Sequence, residues 1–160
     1  MTDDKSKKIY QYLLIRAESL LLRRPKTESQ TRLYLQQKIK RFKIEGTVII
    51  NQVIDELKQL DLINDPKFIK LWIEDRSYFK PRGARLLTAE LIKKGINRQL
   101  VIDYLDNNPV DNQQLAKSIL EKKFRKQTQP DPKKMLSLLL RRGFDFEVSK
   151  KAIEDFVNKE

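Results

Sequence analysis

Glycine and proline interrupt this 160-residue sequence at eight widely spaced points. Proline stops a helix because it lacks the backbone N–H and clashes with the preceding turn, whereas glycine ends a helix because it adopts the left-handed conformation at little cost. The break points are Pro25, Gly46, Pro66, Pro81 with Gly83, Gly95, Pro109, Pro130 with Pro132, and Gly143. They divide the chain into nine segments of about 10 to 20 residues, which are lengths typical of helices in globular proteins.

Most of the nine segments carry apolar residues at steps of three and four, which is the spacing of one helix face. Residues 48–60 show this spacing with Ile49, Ile50, Val53, Ile54, Leu57 and Leu60. A strand is the competing interpretation of 48–54, because valine and isoleucine are frequent there. The following "DELKQL" continues the helical spacing, so the sequence predicts an all-α protein.

The nine segments form three similar triplets. The first helix of each triplet carries apolar residues at offsets of zero, three and four and a basic residue at offset seven. These sets are Ala17, Leu20, Leu21 and Arg24; Ile69, Trp72, Ile73 and Arg76; and Ala116, Ile119, Leu120 and Lys123. Because one such unit buries little surface alone, we expect the units to stack. The predicted organisation is a flexible polar N-terminus at 1–8, followed by three-helix repeats at 9–63, 64–108 and 109–160.

The second and third repeats contain the same punctuated helix pair, written "LLTAELIKKGINRQLVIDYL" at 86–105 and "KMLSLLLRRGFDFEVSKKAI" at 134–153. Each has a glycine predicted to be left-handed, an apolar residue that packs back on the helix, and a residue that caps the next helix. These are Gly95, Ile96 and Asn97 in one pair, and Gly143, Phe144 and Asp145 in the other. The first repeat departs from this pattern, because "QQKIKRFKIEG" is longer and Gly46 comes later. We therefore expect a different turn there.

The composition narrows the classes of function that are open to this protein. The formal net charge is +12, and each third of the chain is positive, with basic against acidic counts of 13 to 8, 9 to 6 and 12 to 8 for 1–64, 65–106 and 107–160. A dispersed excess suits a long polyanion, although it could also serve only solubility. The sequence has no cysteine and no histidine, which removes disulfides, thiolate metal sites and the commonest general base. With no long apolar run and no apolar leader at the start, the expected location is the cytoplasm.

Three stretches of this sequence resemble the RecX regulatory proteins of bacteria. They are "RRPKTESQTRLYLQQKI", "DLINDPKFIKLWIEDRSYFKPRGARLLTAELIKKGI" and "LLLRRGFDFEVSKKAI". The resemblance covers residues 10–156 and is strongest over 61–96, where a Trp-Ile-x-x-Arg helix precedes Arg-Gly and then Glu-Leu-x-x-Lys-Gly-Ile. The sequence departs from the family in its long turn after Ile39 and in Asn64, where an acidic residue is common.

The family resemblance implies three tandem three-helix repeats in an elongated, curved body. It also implies a monomeric, non-enzymatic protein that binds the RecA recombinase and its filament on single-stranded DNA. The implied effect is restraint, most simply inhibition, of ATPase, strand-exchange and SOS activities in DNA repair and recombination. Accordingly we expect no catalytic residues, no cofactor, no metal and no membrane partner, and only weak, non-specific binding to DNA itself.

Basic residues supply the candidate contacts with RecA or DNA. They are Arg82, Arg85, Lys93, Lys94, Arg98, Lys122, Lys123, Arg125, Arg141 and Arg142. Cations in the last turn of a helix also compensate the helix dipole, which is the alternative explanation for several of them. Arg82 and Arg85 instead open a helix, where cations oppose the dipole, and this favours an anionic partner.

Two aromatic residues lie near these basic residues. Phe124 lies in the densest basic segment and could stack a base, although we favour a core position for it. Trp72 is expected in the core, with Arg76 one turn later placed to pair with Glu90.

Two other functions stay open from the residues alone. Each triplet loosely resembles the three-helix bundles that bind DNA through helix-turn-helix geometry, so a generic nucleic-acid-binding protein is one alternative. No segment, however, shows the clustered Arg, Asn and Gln face expected for base reading. The second alternative is a protein–protein adaptor whose charge serves solubility.

Overall fold

The computed structural model describes residues 2–158, and this part of the chain contains helices and no strand. Nine α-helices follow one another: α1 (Thr2–Arg23), α2 (Glu28–Ile39), α3 (Thr47–Gln59), α4 (Asp65–Phe79), α5 (Ala84–Lys93), α6 (Arg98–Asn107), α7 (Asn112–Phe124), α8 (Pro132–Arg141) and α9 (Phe146–Val157). A short 3₁₀ helix, η1 (Lys40–Phe42), follows α2. The predicted all-α class is confirmed. The stacking of three repeats stays a prediction, with which the helix order is consistent.

Helix α1 begins earlier than the sequence predicted. Residues 2–8 are helical, whereas we expected a flexible polar segment over 1–8; Met1 lies outside the described residues. No glycine or proline precedes Pro25 to stop the helix from extending towards its start. Lys8 also pairs with Asp4 at 2.7 Å, one helical turn away, and such i,i+4 pairs stabilise exposed helices by a few tenths of a kcal/mol.

The helices fall into two compact units. The first unit runs to Phe68 and includes Lys94–Ile96, and the second contains Ile69–Lys93 and the chain from Asn97 onward. The core of the first unit comes from α1, α2, α3 and the residues after α3. Its buried apolar side chains are Ile9, Leu13, Ala17, Leu21, Leu35, Ile39, Ile50, Val53, Ile54, Leu57 and Ile63. The spacing of four in α1 places its apolar residues on one face.

The best-defined core of the second unit lies among α7, α8 and α9. Its buried members are Ala116, Ile119, Leu120, Phe124, Met135, Leu138, Leu139, Phe144 and Ala152. Helices α7 and α8 therefore turn their opposite faces to solvent. This arrangement sets two polar, basic helix faces beside one another.

The predicted glycine turns are confirmed. Gly95 and Gly143 have φ of +84° and +87°, in the left-handed region. After α8 the Gly143 amide donates to the Leu140 carbonyl at 3.1 Å, and the Phe144 amide donates to Leu139 at 3.2 Å. This is the Schellman pair of bonds, and Phe144 is fully buried behind it.

Of the two predicted helix caps, the one at Asn97 is confirmed and the one at Asp145 lacks its side-chain bond. The Asn97 side chain accepts hydrogen bonds from the amides of Gln99 and Leu100, as predicted. Asp145 holds the equivalent position before α9, but its side chain makes no capping bond. Its backbone is extended, so the position is that of a cap without the carboxylate contact.

Candidate nucleic-acid interface

A basic groove lies between the end of α7 and α8. Its volume is about 420 Å³. Of the eight residues that line it, four carry a positive charge and none is acidic: Lys123, Lys133, Lys134 and Arg141. Gln127 and Ser137 add polar groups to the same wall. We call this set the α7–α8 groove.

The start of α8 places two of these cations against the helix dipole. Asp131 is the N-cap, with its carboxylate accepting a hydrogen bond from the Lys133 amide at 2.9 Å, and Pro132 follows at the first helical position. Lys133 and Lys134 then occupy the first turn. The positive end of the helix dipole repels cations there, and each one destabilises the helix by about 0.3–1 kcal/mol. The arrangement therefore costs stability locally and concentrates positive potential.

No described carboxylate forms an ion pair with the four cations of the groove. Arg141 instead donates from Nε to the Ser137 carbonyl at 3.4 Å. This bond uses one of the five N–H donors of the guanidinium. An uncompensated cluster of this kind attracts a flexible polyanion such as a phosphodiester chain or an acidic protein surface.

Two of the candidates predicted from the sequence meet in the α7–α8 groove. Lys123, near the end of α7, and Arg141, at the end of α8, line the same wall although eighteen positions separate them in the sequence. Lys122 and Arg125 flank Lys123, and both are exposed. Phe124 is buried in the core, so it cannot stack a base, and the favoured core position is correct.

Arg82 and Arg85 are engaged within the second unit. Arg82 pairs with the carboxylate of Glu90, and Arg85 donates to the carbonyl of Leu140 at 3.2 Å. These contacts explain both cations near the start of α5 without an anionic partner. The position of Arg82 and Arg85 at the positive end of the helix dipole therefore no longer favours an anionic partner.

Glu90 is the centre of a larger polar cluster. It also accepts from Arg76 Nε at 3.3 Å and from Trp72 Nε1 at 3.1 Å. The Arg76 guanidinium carbon lies 4.2 Å from the centre of the Trp72 ring. The predicted pairing of Arg76 with Glu90 is thus confirmed, while Trp72 is half-buried rather than fully enclosed.

The remaining candidates stand at helix ends. Lys93 and Arg98 are exposed, and neither forms an ion pair with a described residue. The Lys94 carbonyl accepts a hydrogen bond from the Thr27 hydroxyl at 2.7 Å. Arg142 forms the C-cap of α8 and is half-buried. As partner contacts, all ten candidates stay predictions.

Lys133 and Lys134 were missed in the sequence. The detectable signal was "DPKK", an N-cap aspartate and a first-turn proline followed directly by two lysines. That order identifies the start of a helix with the wrong charge for its dipole. Arg82 and Arg85 show the same pattern in the sequence, but both have internal partners in the structure.

Together the fold and the groove define a small, basic, all-helical protein with a surface suited to anions. No family model matches the chain. It is, however, similar to curated proteins named regulatory protein RecX. The relative from Clostridium perfringens (strain 13 / Type A) is 28% identical over 118 residues, which is 69% of this chain and 55% of the relative. The relative from Finegoldia magna is 31% identical over 112 residues, covering 66% and 55%.

The solved structures agree on the fold. A crystal structure of RecX from Lactobacillus salivarius superposes with a TM-score of 0.79 at 20% identity, covering 94% of this chain and 97% of that one. A second crystal structure, of a regulatory protein RecX, gives 0.73 at 21% identity, covering 94% and 74%. The curated relatives agree with the resemblance to RecX proteins seen in the sequence, and the solved structures share the fold of this chain. The chain spans about half the length of the curated relatives it matches.

Proposed function

We propose that this protein is a non-enzymatic regulator of the RecA recombinase. It binds RecA and the RecA filament on single-stranded DNA, and it inhibits the ATPase, strand-exchange and SOS activities of RecA. The observation that carries the proposal is the similarity over 100 to 118 residues to proteins named regulatory protein RecX. The proposed setting is the bacterial cytoplasm, where RecA acts on DNA. None of the helices in the described chain is long and apolar enough to span a membrane.

The α7–α8 groove supports this function by its charge. A RecA filament presents both protein surface and the phosphates of its DNA strand, so a basic surface without carboxylates suits it. Each contact of this kind is weak, but a filament repeats its contacts, and repeated weak contacts raise the overall affinity steeply. We infer that the groove contributes one such contact, through Lys133, Lys134 and Arg141.

The test is the ATPase activity of RecA on single-stranded DNA while the protein is titrated in. The rate should fall as the protein is added, and the protein should sediment with RecA filaments. A second titration with extra single-stranded DNA distinguishes regulation from simple removal of the DNA. If extra DNA restores the rate fully, the protein acts by binding DNA alone. If RecA is neither inhibited nor bound, the proposal is wrong and an adaptor role is the better explanation.

One observation favours a second function, that of a general nucleic-acid-binding protein. The α7–α8 groove carries four cations and no carboxylate, and such a surface neutralises phosphates without any need for RecA. On this alternative the protein binds DNA strongly by itself, and the affinity falls steeply with salt. RecA inhibition would then follow the DNA affinity of each variant.

A further inference from the structure

A second cationic cluster lies in the first unit, and it combines its charges with aromatic rings. The Arg41 guanidinium carbon lies 4.9 Å from the centre of the Tyr12 ring, and that of Arg16 lies at 5.4 Å. Arg41 also donates from Nη1 to the Tyr12 hydroxyl oxygen at 2.8 Å. Phe42 meets Tyr12 edge to face, with ring centres 5.4 Å apart. We call these four residues the Tyr12 cluster.

The unusual turn after α2 builds this cluster. Tyr12 and Arg16 are one turn apart on α1, and η1 brings Arg41 and Phe42 against them. The turn ends at Lys43, whose φ of +53° is left-handed and whose amide donates to the Lys40 carbonyl at 3.1 Å. A side chain in that conformation costs roughly 1–2 kcal/mol. The first repeat therefore holds a strained, basic turn where the other two repeats have glycine.

The two rings of the cluster are half-buried against the core of the first unit, whereas its cations are exposed and lack acidic partners. Arg16, Lys40, Arg41 and Lys43 are all exposed, and no described carboxylate forms an ion pair with them. Burial would raise the pKa of Tyr12, but the hydrogen bond and charge of Arg41, with those of Arg16, outweigh it and lower the pKa. The tyrosine hydroxyl thus lies in a positive field.

We propose that the Tyr12 cluster binds single-stranded nucleic acid, with a base stacked on the Arg41 guanidinium, which the Tyr12 ring supports from behind, and the neighbouring phosphates on Arg16, Lys40 and Lys43. Arginine planes and aromatic rings stack on any unpaired base, while flanking cations follow the backbone. A duplex hides the base faces, so only a single strand can stack a base on Arg41. The proposal does not rest on the proposed regulation of RecA, because it concerns contacts within the first unit and its test contains no RecA.

The experiment measures fluorescence anisotropy in the absence of RecA with two labelled oligomers of about 20 nucleotides, which exceeds typical site sizes of about 4–16. One is oligothymidylate, and the other is an abasic deoxyribose-phosphate chain of equal length. The parent protein should bind oligothymidylate at least about 5-fold more tightly, since one stacked base contributes about 1–3 kcal/mol. Arg41→Lys keeps the charge but removes the plane, so it should abolish this preference and retain binding to the abasic chain.

Two further variants complete the design, with melting temperatures and helicity recorded for each. Arg16→Gln, on α1, removes one phosphate contact without disturbing the turn, so it should weaken binding to both oligomers and leave the preference for bases intact. Lys150→Gln, an exposed change in α9, should leave the preference intact. Equal binding of both oligomers by the parent would overturn the proposal, as would a full preference in a folded Arg41→Lys protein. Displacement of oligothymidylate by poly-glutamate as readily as by unlabelled oligothymidylate would instead indicate a site for acidic protein, and the proposal would be wrong.

Discussion

The backbone amide of Gly83 donates a hydrogen bond to the carbonyl oxygen of Arg142, 2.9 Å away. The segment before α5 thereby satisfies a carbonyl at the end of α8, which has no partner within its own helix. Arg85 adds a side-chain donor to the Leu140 carbonyl, which also accepts a hydrogen bond from the Gly143 amide. A β-carbon at Gly83 would collide with the backbone of Gly143, so this close approach requires glycine.

The first prediction concerns the left-handed turn after α8. Gly143→Ala should lower the free energy of unfolding by more than about 1–2 kcal/mol, which is the cost of the left-handed conformation alone. The new β-carbon would also collide with Leu86. Chemical denaturation measures the change, and Ser137→Ala, at an exposed position of α8, should change it by less than about 0.5 kcal/mol. An unchanged Gly143→Ala protein would contradict the turn assignment.

The second prediction concerns Glu90. Glu90→Gln should destabilise the protein by about 2–4 kcal/mol, because Arg76 and Arg82 are both largely covered and would lose their shared carboxylate. Trp72 is the only tryptophan and donates to Glu90, so its fluorescence should report the change directly.

The control for Glu90 is Glu74→Gln. Glu74 is exposed and lies 4.0 Å from Lys70, an exposed pair worth less than about 1 kcal/mol. The emission of Trp72 and the stability should both stay close to those of the parent. Equal effects of the two substitutions would show that the Glu90 cluster is not a stabilising centre.

The third prediction concerns pH and Glu28. Burial would raise the pKa of Glu28, but the hydrogen bonds and charges of Lys58 and Arg32, at 2.6 and 3.0 Å, outweigh it and lower the pKa below 4.5. A lowered carboxyl pKa gives stability that is present above the ordinary value and is lost as the pH falls through the lowered one. Between about pH 7 and pH 3, the free energy of unfolding should therefore depend less steeply on pH in Glu28→Gln than in the parent.

Asp65 provides the opposite sign. Burial raises its pKa, even though its carboxylate accepts a hydrogen bond from the Glu28 amide at 2.9 Å. A raised carboxyl pKa favours folding at low pH and opposes it above the ordinary value of 3.8. Asp65→Asn keeps an oxygen acceptor, so at neutral pH it should lose little stability or gain some. Parallel pH profiles for the Glu28 and Asp65 variants would contradict both assignments.

Features set by local sequence were predictable. The nine helices, the left-handed Gly95 and Gly143 and the Asn97 cap depend on breakers and residues within a few positions. These features require no knowledge of how distant helices pack.

Features set by packing were not predictable. Arg82 has an internal partner because α5, which begins just after it, places the Glu90 carboxylate beside it. The helix dipole alone gives no information about that carboxylate. Lys123 and Arg141 meet because α7 and α8 bury facing apolar residues. The Tyr12 cluster depends on an irregular turn, and its sequence, "KIKRFK", shows charge without showing what the rings contact.

The last prediction separates binding from folding in the α7–α8 groove. Lys133→Glu with Lys134→Glu should raise the free energy of unfolding by about 1 kcal/mol or more, because anions suit the first turn of α8 where cations oppose its dipole. The same double variant should bind single-stranded DNA and RecA filaments more weakly. If both lysines contact phosphate, the dependence of log affinity on log salt should become less steep by about 1.4, at about 0.7 for each contact.

Lys150→Glu with Lys151→Glu makes the same change in net charge on α9 and should reduce binding much less. A double variant that is more stable and yet binds and inhibits as the parent does would show that the groove is not the contact. A loss of binding together with a loss of stability would show instead that the two lysines support the fold of α8.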